Sequence, residues 1–520
     1  MRVLLINTPY PFEELPLPPL GLPYLAAVLE REGIDVHILD LLVAQHSSER
    51  LKRRLKEYQP QAVGVSCSTM NYPTASRILK TCKSFDSGLA TLIGGPHVSF
   101  TASQVLQEAP WIDVVVRGEG EDTLVDLVNT LAAGGDLGQV PGIAFRRDGE
   151  LVLTHPRLLI EDLDRLPLPA RHLLPLSKYR ALRSHCSVVT SRGCSFGCIF
   201  CSAPHMFGRR VRFRNPKLVV DEMEIIHRDL GFEEINVVDD TFTLNAQHVQ
   251  NICDELVARR LNVKWSVYSR VDTASHHLFT VMKEAGCTWV CFGIESGSQE
   301  ILNNIKKRIT PSQAEAAVVM AKEAGINVLN SFIIGLPGET RETARQTVDL
   351  GARLFTRYDA SYGLHILAPL PGTEVYEEAS HYGIKILSKD WAKFDANLAV
   401  AETANLSAGE MKEIVDHYER EAAKAWQKMQ SEAEAGDPLQ KERVDKSVTQ
   451  GFVWKLLKGD IIERVGHSGG HLKELARRVS HRLAIPLPLA EQELSRQVRD
   501  GNLTCSAEGA EGESSAWQWT

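Results

Sequence analysis

Short apolar runs alternate with helix-like patterns through the first 133 residues of the chain. The runs contain little polar alternation, which is typical of strands that are buried on both faces of a sheet. They lie at residues 3–6, 36–39, 62–65, 91–93 and 114–116. Between the first two runs, apolar residues recur at the spacing of an amphipathic helix. Five strands with helical crossovers predict an α/β domain with a doubly wound (Rossmann-like) parallel sheet over residues 1–140.

The loops after these predicted strands are rich in glycine and hydroxyl residues. Ligands of doubly wound sheets bind beyond the carboxyl ends of the strands, and small residues let the backbone approach a ligand closely. The candidate ligand-binding residues in these loops are Ser66, Ser68, Thr69, Gly94, Gly95, His97, Gly118 and Glu119. No segment reads G-x-G-x-x-G after the first strand, which argues against a dinucleotide site. Tight loops without a ligand remain the alternative at this stage.

Residues 141–186 separate this domain from the rest of the chain. Two short runs flank Asp148-Gly149, a pair that predicts a β-hairpin. Prolines at 156, 167, 169 and 175 then favour an extended connector.

The alternation of strand and helix patterns resumes after the connector. Six apolar runs are separated by helical patterns, and no seventh or eighth unit is evident. The runs lie at residues 187–190, 234–238, 264–269, 289–294, 329–334 and 361–367. Six such units predict a partial (βα)6 barrel over residues 187–400, and in barrels the chemistry sits at the carboxyl ends of the strands.

The last quarter of the chain carries no strand pattern of comparable strength. Residues 401–500 predict a mainly helical region, with a polar stretch at 431–447 as a linker. Residues 501–520 contain few aliphatic side chains, so we expect a disordered tail there. Substrate selectivity can reside in this region, but no motif identifies a substrate.

Composition and charge exclude several classes of protein. The 520 residues include 58 basic and 66 acidic side chains, which gives a net charge of −8. A mildly acidic chain argues against a general nucleic-acid or membrane-surface binder. No uncharged apolar run approaches the roughly 18 residues of a membrane span, and the apolar run near the start is too short for a signal peptide. We therefore expect a cytoplasmic protein that binds no nucleic acid.

Three of the ten cysteines form a compact group just beyond the first strand of the predicted barrel. Cys194, Cys198 and Cys201 have C-x3-C-x2-C spacing. Three thiolates can bind three irons of a 4Fe–4S cube and leave the fourth iron open. A zinc site that uses His205 as the fourth ligand, or a cluster ligated fully by a distant cysteine, is the alternative.

The cysteine triad, with Phe200 before its last cysteine, resembles the signature of radical S-adenosylmethionine (SAM) enzymes. Further segments resemble the subfamily with an N-terminal cobalamin-binding domain, and the likeness covers residues 1 to about 390. These segments are residues 18–33, 93–99, 115–121, 190–194, 237–243, 292–300 and 333–340. The resemblance implies three cofactors: a 4Fe–4S cluster, SAM and cobalamin.

The resemblance also implies roles for individual residues. Cys194, Cys198 and Cys201 resemble the cluster ligands. The residues assigned to SAM are Phe200, Asp239, Arg270, Glu295 and Ser296. Core packing is the alternative role for Phe200, and a helix-capping role is the alternative for Asp239. Apart from the cluster ligands, no residue is assigned a catalytic role.

The axial ligand of cobalt is the main departure from other cobalamin domains. Residues 1–150 contain no D-x-H-x-x-G segment, the pattern that supplies a lower axial histidine elsewhere. His97 is the one histidine at a suitable strand end, and we interpret it as a loop residue near the corrin and not as a cobalt ligand. The absence of a second cysteine triad before the barrel counts against a methylthiotransferase.

The subfamily that the chain resembles contains methyltransferases and an anaerobic oxidative cyclase of chlorophyll biosynthesis. We expect a methyltransferase that transfers methyl from methylcobalamin to an unactivated carbon after a deoxyadenosyl radical has removed hydrogen. The alternatives are an oxidative cyclase of the porphyrin-ring type and a non-catalytic cobalamin-binding sensor. The expected partners are a small-molecule or natural-product substrate and an electron donor such as flavodoxin or ferredoxin.

Overall fold

A computed structural model describes residues 1–9, 16–466, 471–506 and 516–520. These residues form a seven-stranded sheet, a six-stranded parallel sheet and a mainly helical C-terminal part. The fold class predicted from the sequence is therefore confirmed. None of the helices in the described ranges has the length and apolarity needed to cross a membrane.

The first sheet has the strand order β2-β1-β3-β4-β5-β6-β7. Its strands are β1 (Arg2–Asn7), β2 (Asp35–Asp40), β3 (Ala62–Ser66), β4 (Ala90–Gly94), β5 (Val114–Val116), β6 (Ile143–Arg147) and β7 (Glu150–Leu153). Strands β1 to β5 are parallel, and each contains one of the five apolar runs. Their carboxyl ends therefore lie along one edge of the sheet.

Helices cover both faces of this sheet. They are α1 (Gly21–Arg31), α2 (Ser48–Tyr58), α3 (Tyr72–Phe85), α4 (Pro96–Glu108) and α5 (Glu121–Ala133). Alternate residues of β1 pack into two separate cores: Leu5 lies with Leu127 of α5, whereas Leu4 lies with Ile78 of α3. Burial on both faces explains why the strand reads as a continuous apolar run.

The β6–β7 hairpin belongs to the first sheet. The sequence placed it in the joining segment, but Val114 of β5 pairs with Phe145 of β6 in antiparallel register. A strand at a sheet edge presents unpaired backbone groups, and the hairpin satisfies those of β5. The hairpin pattern was visible in the sequence, whereas its partner was not.

The second sheet is a partial barrel of six parallel strands in the order β15-β14-β13-β12-β11-β8. A two-stranded ribbon, β9–β10, follows its first strand. The strands are β8 (Cys186–Val188), β9 (Ser191–Arg192), β10 (Arg212–Phe213), β11 (Glu234–Val237), β12 (Lys264–Ser269), β13 (Cys287–Glu295), β14 (Asn327–Ile334) and β15 (Ser361–Ile366). All six predicted barrel strands are present.

Helices between these strands have recognisable start signals. The side chain of Ser275 accepts the backbone N–H of Leu278 at the start of α10, and Thr310 and Gln313 form a capping box at α12. The helices of this half are α6 (Leu176–Ala181), α7 (Ala203–Phe207), α8 (Pro216–Glu224), α9 (Ala246–Ala258), α10 (His276–Glu284), α11 (Gln299–Asn304), α12 (Pro311–Glu323), α13 (Arg341–Tyr358) and α14 (Glu374–Glu377).

The C-terminal part is mainly helical, and two expectations about it are corrected. Its elements are β16 (Ile384–Ile386), β17 (Ala401–Thr403), α15 (Ala408–Glu434), α16 (Pro438–Lys458), α17 (Ile461–Val465), α18 (Leu472–Leu483), α19 (Leu487–Arg499), β18 (Leu503–Cys505) and β19 (Trp517–Trp519). The polar stretch 431–447 is mostly helical, since α15 and α16 leave only three residues between them.

The tail predicted to be disordered contains an ordered hairpin. Leu503 pairs with Trp519 and Cys505 pairs with Trp517, which is buried. Two tryptophans supply apolar area that a count of aliphatic residues misses. Residues 507–515 of the tail lie outside the described residues.

Residues that follow strands of both sheets line one cavity at the joint between the two halves. Tyr179 of the connector donates a hydrogen bond of 2.6 Å to the buried carboxylate of Asp40, at the end of β2. On the other side, the ring of Trp391 packs against His97 with 4.9 Å between ring centroids. These contacts join the first domain to the connector and to the segment after the barrel.

Candidate functional site

Backbone hydrogen bonds to two other segments hold the loop that carries Cys194, Cys198 and Cys201. The N–H of Cys194 donates to the carbonyl of Gly208, and the N–H of Ile199 donates to the carbonyl of Ile305. Gly193 has φ +103°, and a Cβ there would lie 2.9 Å from the carbonyl oxygen of Arg210. Glycine is therefore required just before the first cysteine.

The three thiols lie on one short loop and can supply sulfur ligands to an iron–sulfur cluster. Cys194 is buried and the other two thiols are half-buried. Burial raises the pKa of Cys201 to about 11 and raises that of Cys198. In the described part of the chain, no three His, Cys, Asp or Glu side chains converge as ligands of one metal ion. Sulfur donors at three corners fit a 4Fe–4S cube, whose fourth iron stays open to another ligand.

Arg270 lies directly beside the cysteine loop. Its Nη1 is 3.6 Å from Cys198 Sγ, and its guanidinium lies 3.6 Å from the centroid of the Phe196 ring. Asp272 accepts hydrogen bonds from Nε and Nη2, and the carbonyl of Lys307 accepts a third. This side chain is 5% exposed. The structure therefore brings Arg270 to the cluster loop with most of its donors already used, and its assignment to SAM stays a prediction.

Glu295 is at the carboxyl end of β13 and forms a buried ion pair that the sequence did not reveal. Lys307 Nζ lies 2.7 Å from Glu295 Oε1, and it is 5.8 Å from the centroid of the Phe200 ring. Glu295 itself has φ +73°, an uncommon backbone conformation for this residue type. Phe200, Glu295 and Lys307 thus form one group next to the cysteines.

Asp239 and Ser296 point into protein and not into an open space. Asp239 accepts hydrogen bonds from the N–H and Oγ1 of Thr190 and from Ser191 Oγ. Ser296 is fully buried, and its Oγ accepts the N–H of Ser298 and contacts Thr347. These contacts fix the loops that follow β8 and β13. The assignment of both residues to SAM stays a prediction.

An apolar cavity of about 320 Å³ opens at the carboxyl edge of the first sheet and reaches the barrel. We call it the edge cavity. Five of the eight residues predicted to bind a ligand in this domain line it: Ser66, Gly94, Gly95, Gly118 and Glu119. A Cβ at Gly95 would lie 2.3 Å from the carbonyl oxygen of Cys67, so the backbone needs glycine there. From the barrel side, Arg192 and Asp240 close the cavity.

The other three predicted residues lie elsewhere. Ser68 binds the Oδ1 of Asn71. Thr69 and His97 are buried against each other, with 3.3 Å between Oγ1 and Nδ1. His97 is in the first turn of α4 and is not a loop residue, which corrects the sequence interpretation. The sequence offered no helix signal there beyond Pro96.

Charged side chains join the edge cavity to the cysteine loop. Arg192, two residues before Cys194, donates to Glu119 at 3.1 Å and to Glu121 at 2.7 Å. Arg212 binds both oxygens of Glu119 at 2.8 and 3.0 Å. Burial tends to raise the pKa of Glu119, but these two arginines and the N–H of Ile160 hold it below its usual value. Glu119 is therefore an anchor between the halves as well as a lining residue.

Comparisons with known proteins agree with this arrangement. The family model of the B12 binding domain matches residues 14–128, and that of the radical SAM superfamily matches residues 188–351. An uncharacterized methyltransferase of Pyrococcus horikoshii is 39% identical over 379 residues, which is 72% of this chain and 81% of the relative. The anaerobic magnesium-protoporphyrin IX monomethyl ester cyclase of Rubrivivax gelatinosus is 32% identical, over 81% of this chain and 77% of the relative.

Solved structures show the same fold. The radical SAM methyltransferase TsrM from Kitasatospora setae, solved with cobalamin and a [4Fe-4S] cluster, has a TM-score of 0.64 and 22% identity over 79% of this chain and 86% of that chain. OxsB, a cobalamin-dependent SAM radical enzyme solved with aqua-cobalamin and SAM, has a TM-score of 0.70 and 18% identity over 96% and 80%.

Proposed function

The chain belongs to the cobalamin-dependent radical SAM enzymes, and from this premise we propose that it is a methyltransferase acting on an unactivated carbon of a small molecule. The relative with 39% identity over most of its length is named a methyltransferase, which favours this reaction over cyclisation. The cyclase at 32% identity makes oxidative ring closure the second candidate. A cobalamin-binding sensor has no use for a cysteine triad with an open iron.

One observation carries the proposal: Arg192 connects the edge cavity to the cysteine loop, which are the two proposed cofactor sites. Its guanidinium binds Glu119 in the edge cavity, while its backbone leads into Cys194 two residues later. A transfer between a radical site and a methyl donor requires both to reach one substrate carbon. The ion pair ties the loop at the edge cavity to the segment that leads into the cysteine loop.

The cysteine loop holds the cluster in this proposal. When bound, a 4Fe–4S cluster supplies the electron that releases a deoxyadenosyl radical from SAM, and cobalamin supplies the methyl group. Cys194, Cys198 and Cys201 are the proposed ligands. An electron donor such as flavodoxin or ferredoxin is the proposed redox partner.

The group around Glu295 is the proposed SAM site. Phe200 offers an apolar ring, and Arg270 and Lys307 offer positive charge close to Cys198. A carboxylate ligand pairs well with such cations. Glu295 brings a carboxylate to this group, paired with Lys307, and would suit the ammonium or the ribose of SAM. Asp239 and Ser296 would support the SAM site by holding the loops that follow β8 and β13.

The edge cavity is the proposed cobalamin site, which assigns residues 1–140 to this cofactor and residues 187–400 to the cluster and SAM. Ser66, Gly94, Gly95, Gly118 and Glu119 would contact it. The wall of the cavity is mostly apolar, which suits a flat, apolar portion of a large ligand. His97 lies outside the cavity wall, between Tyr72 and Trp391.

Anaerobic reconstitution with iron, sulfide and hydroxocobalamin tests the proposal. The reduced protein is incubated with SAM and candidate substrates, and products are identified by mass spectrometry. A methylated product together with deoxyadenosine and S-adenosylhomocysteine is the expected result. A cyclised product without S-adenosylhomocysteine would establish the second candidate. Cobalamin binding without deoxyadenosine would leave only a sensor, and a variant lacking all three triad cysteines is the matched control.

A further inference from the structure

Arg270 directs one nitrogen of its guanidinium at a proposed cluster ligand. A guanidinium carries one donor on Nε and two on each Nη. Asp272 accepts from Nε at 2.9 Å and from Nη2 at 3.0 Å, and the carbonyl of Lys307 accepts from Nη2 at 2.6 Å. These bonds use every donor except those of Nη1, whose acceptor is Cys198 Sγ at 3.6 Å.

Stacking and burial hold the guanidinium in this orientation. It lies 3.6 Å from the centroid of the Phe196 ring, and Phe196 lies between Cys194 and Cys198 in the cysteine loop. A rotation of the buried guanidinium toward another ligand would break the stacking and the bonds to Asp272 together. The structure therefore fixes Arg270 and the cysteine loop to each other.

A buried cation beside a cluster thiolate acts on the redox equilibrium of the cluster. A reduced 4Fe–4S cluster carries one more negative charge than the oxidised cluster, so an adjacent cation favours the reduced form. Reduction potentials of such clusters depend on net charge, on hydrogen bonds to the sulfurs and on solvent exposure. Because Arg270 is buried, water screens its charge only weakly. Arg270 therefore brings both a charge and a donor that raise the reduction potential.

We propose that Arg270 is a positioning residue of the cluster, which donates a hydrogen bond from Nη1 to the thiolate of Cys198 and thereby raises the reduction potential of the cluster. Asp272 holds Arg270 in place and partly balances its charge. The inference rests on the proposed function, which supplies the cluster, and adds how this chain adjusts the electron transfer that starts the reaction. Arg270 then acts through Cys198 and not through a contact with SAM.

A redox titration without SAM tests this role in the reconstituted, cobalamin-loaded protein. The low-temperature electron paramagnetic resonance signal of the reduced cluster is followed as the applied potential changes. Arg270→Gln removes the charge, and at a fixed potential we expect the ratio of reduced to oxidised cluster to fall about tenfold, the usual effect of one lost hydrogen bond to a charged group. For a one-electron couple this equals a shift of about 59 mV.

Asp272→Asn gives the opposite expectation. It keeps the shape of the side chain but removes the anion that balances Arg270, so the ratio of reduced to oxidised cluster should rise. In the Arg270→Gln background the same change should have a smaller effect, because Asp272 acts through Arg270. Asp272→Asn alone decides the test if Arg270→Gln does not retain four irons.

Arg171→Gln is the matched control. Arg171 is also buried and pairs with a carboxylate, Glu222, and with a carbonyl, that of Ser187, but it lies in the connector. Its substitution should leave the ratio unchanged. A ratio that neither Arg270→Gln nor Asp272→Asn alters would overturn the inference.

Equilibrium dialysis of SAM separates this role from a direct contact with SAM. Weaker SAM binding by Arg270→Gln at an unchanged potential would make Arg270 a SAM ligand and overturn the inference. Methylated product from a parent whose potential responds to neither variant would leave the proposed function standing without it. The expected potentials without deoxyadenosine from the parent would overturn the proposed function instead, and a parent that takes up no cluster would overturn both.

Discussion

Lys307 Nζ lies 2.7 Å from Glu295 Oε1, and both side chains are buried beside the cysteine loop. The sequence indicated Glu295 as a carboxylate that could bind SAM, but it did not indicate Lys307 as its partner. In the structure its charge is already balanced, so a ligand has to share it with Lys307. Any substitution of Glu295 therefore changes two things at once: a contact to SAM and the partner of a buried ammonium.

We predict that Glu295→Ala weakens SAM binding and also lowers the free energy of unfolding by about 3 kcal/mol, because a buried cation loses its partner. Glu295→Gln combined with Lys307→Met removes both charges and should restore most of the stability without restoring SAM binding. Urea unfolding and equilibrium dialysis of SAM measure the two effects. SAM affinity that returns together with stability would assign Glu295 a structural role.

Replacing any one of Cys194, Cys198 and Cys201 by Ala should abolish the broad iron–sulfur absorbance and the formation of deoxyadenosine. Two thiolates cannot hold a cube at three corners. Cys291→Ala is the matched control, because Cys291 is also half-buried but lies on β13, outside the loop. Retention of four irons by the triple variant would show that other ligands hold the cluster.

We predict that Gly95→Ala reduces cobalamin binding at least tenfold. The new Cβ would lie 2.3 Å from the carbonyl oxygen of Cys67, so the loop at the edge cavity must move. Gly33→Ala is the control: Gly33 also has a positive φ, but a Cβ there meets no atom within 4 Å. Cobalamin retained after gel filtration, measured by absorbance, reports the outcome. Equal retention by both variants would remove Gly95 from the proposed site.

Strands were predictable because each barrel strand is an apolar run between helices, and the six runs together place the cysteine triad at the mouth of the barrel. The pairing of Glu295 with Lys307 could not be predicted, because Lys306, Lys307 and Arg308 are three consecutive basic residues that the sequence does not distinguish. Only the fold shows that the middle one points inward, between two neighbours with positive φ. Long-range pairs of this kind leave no local pattern.

The same reason explains why the sequence did not reveal the role of Glu119 as an anchor between the two halves. The motif that contains Glu119 predicted a ligand-binding loop. Its partners, Arg192 and Arg212, are 73 and 93 residues away in the sequence. His97 was misjudged for a different reason: Gly94-Gly95-Pro96 suggests a turn, yet proline is also favoured in the first turn of a helix. Either reading fitted the sequence, and in the structure α4 begins at Pro96, which puts His97 in its first turn.

Glu339, in the loop after β14, should make stability depend on pH. It is fully buried, and burial raises its pKa to about 8 from an ordinary value of 4.5. Between these values the folded chain holds a proton that the unfolded chain releases, so the free energy of unfolding falls as pH rises. Glu339→Gln keeps an acceptor for the N–H of Gly335 and has no such proton.

The stability of the parent relative to Glu339→Gln should therefore decrease between pH 5 and pH 8. Urea unfolding of both proteins at several pH values measures this difference, in which contributions from other titrating groups cancel. A difference that does not change with pH would show that Glu339 is ionised in the folded protein. The conservative Glu342→Gln, at an exposed position, should follow the parent.

The last prediction is that cobalamin binds without a protein nitrogen on cobalt. His97 is 2% exposed, and its ring packs between Tyr72 and Trp391, with centroids 4.6 and 4.9 Å away. Burial lowers its pKa to about 4, so the imidazole is neutral at neutral pH and could ligate cobalt only by leaving this packing. Electron paramagnetic resonance of the cobalt(II) form should give the same spectrum for the parent and for His97→Ala, because any nitrogen splitting would then come from the cofactor's own base. His97→Ala should lower thermal stability through the space it opens beside Trp391. Nitrogen splitting in the parent that disappears in His97→Ala would make His97 the axial ligand and place the corrin closer to α4 than the edge cavity implies.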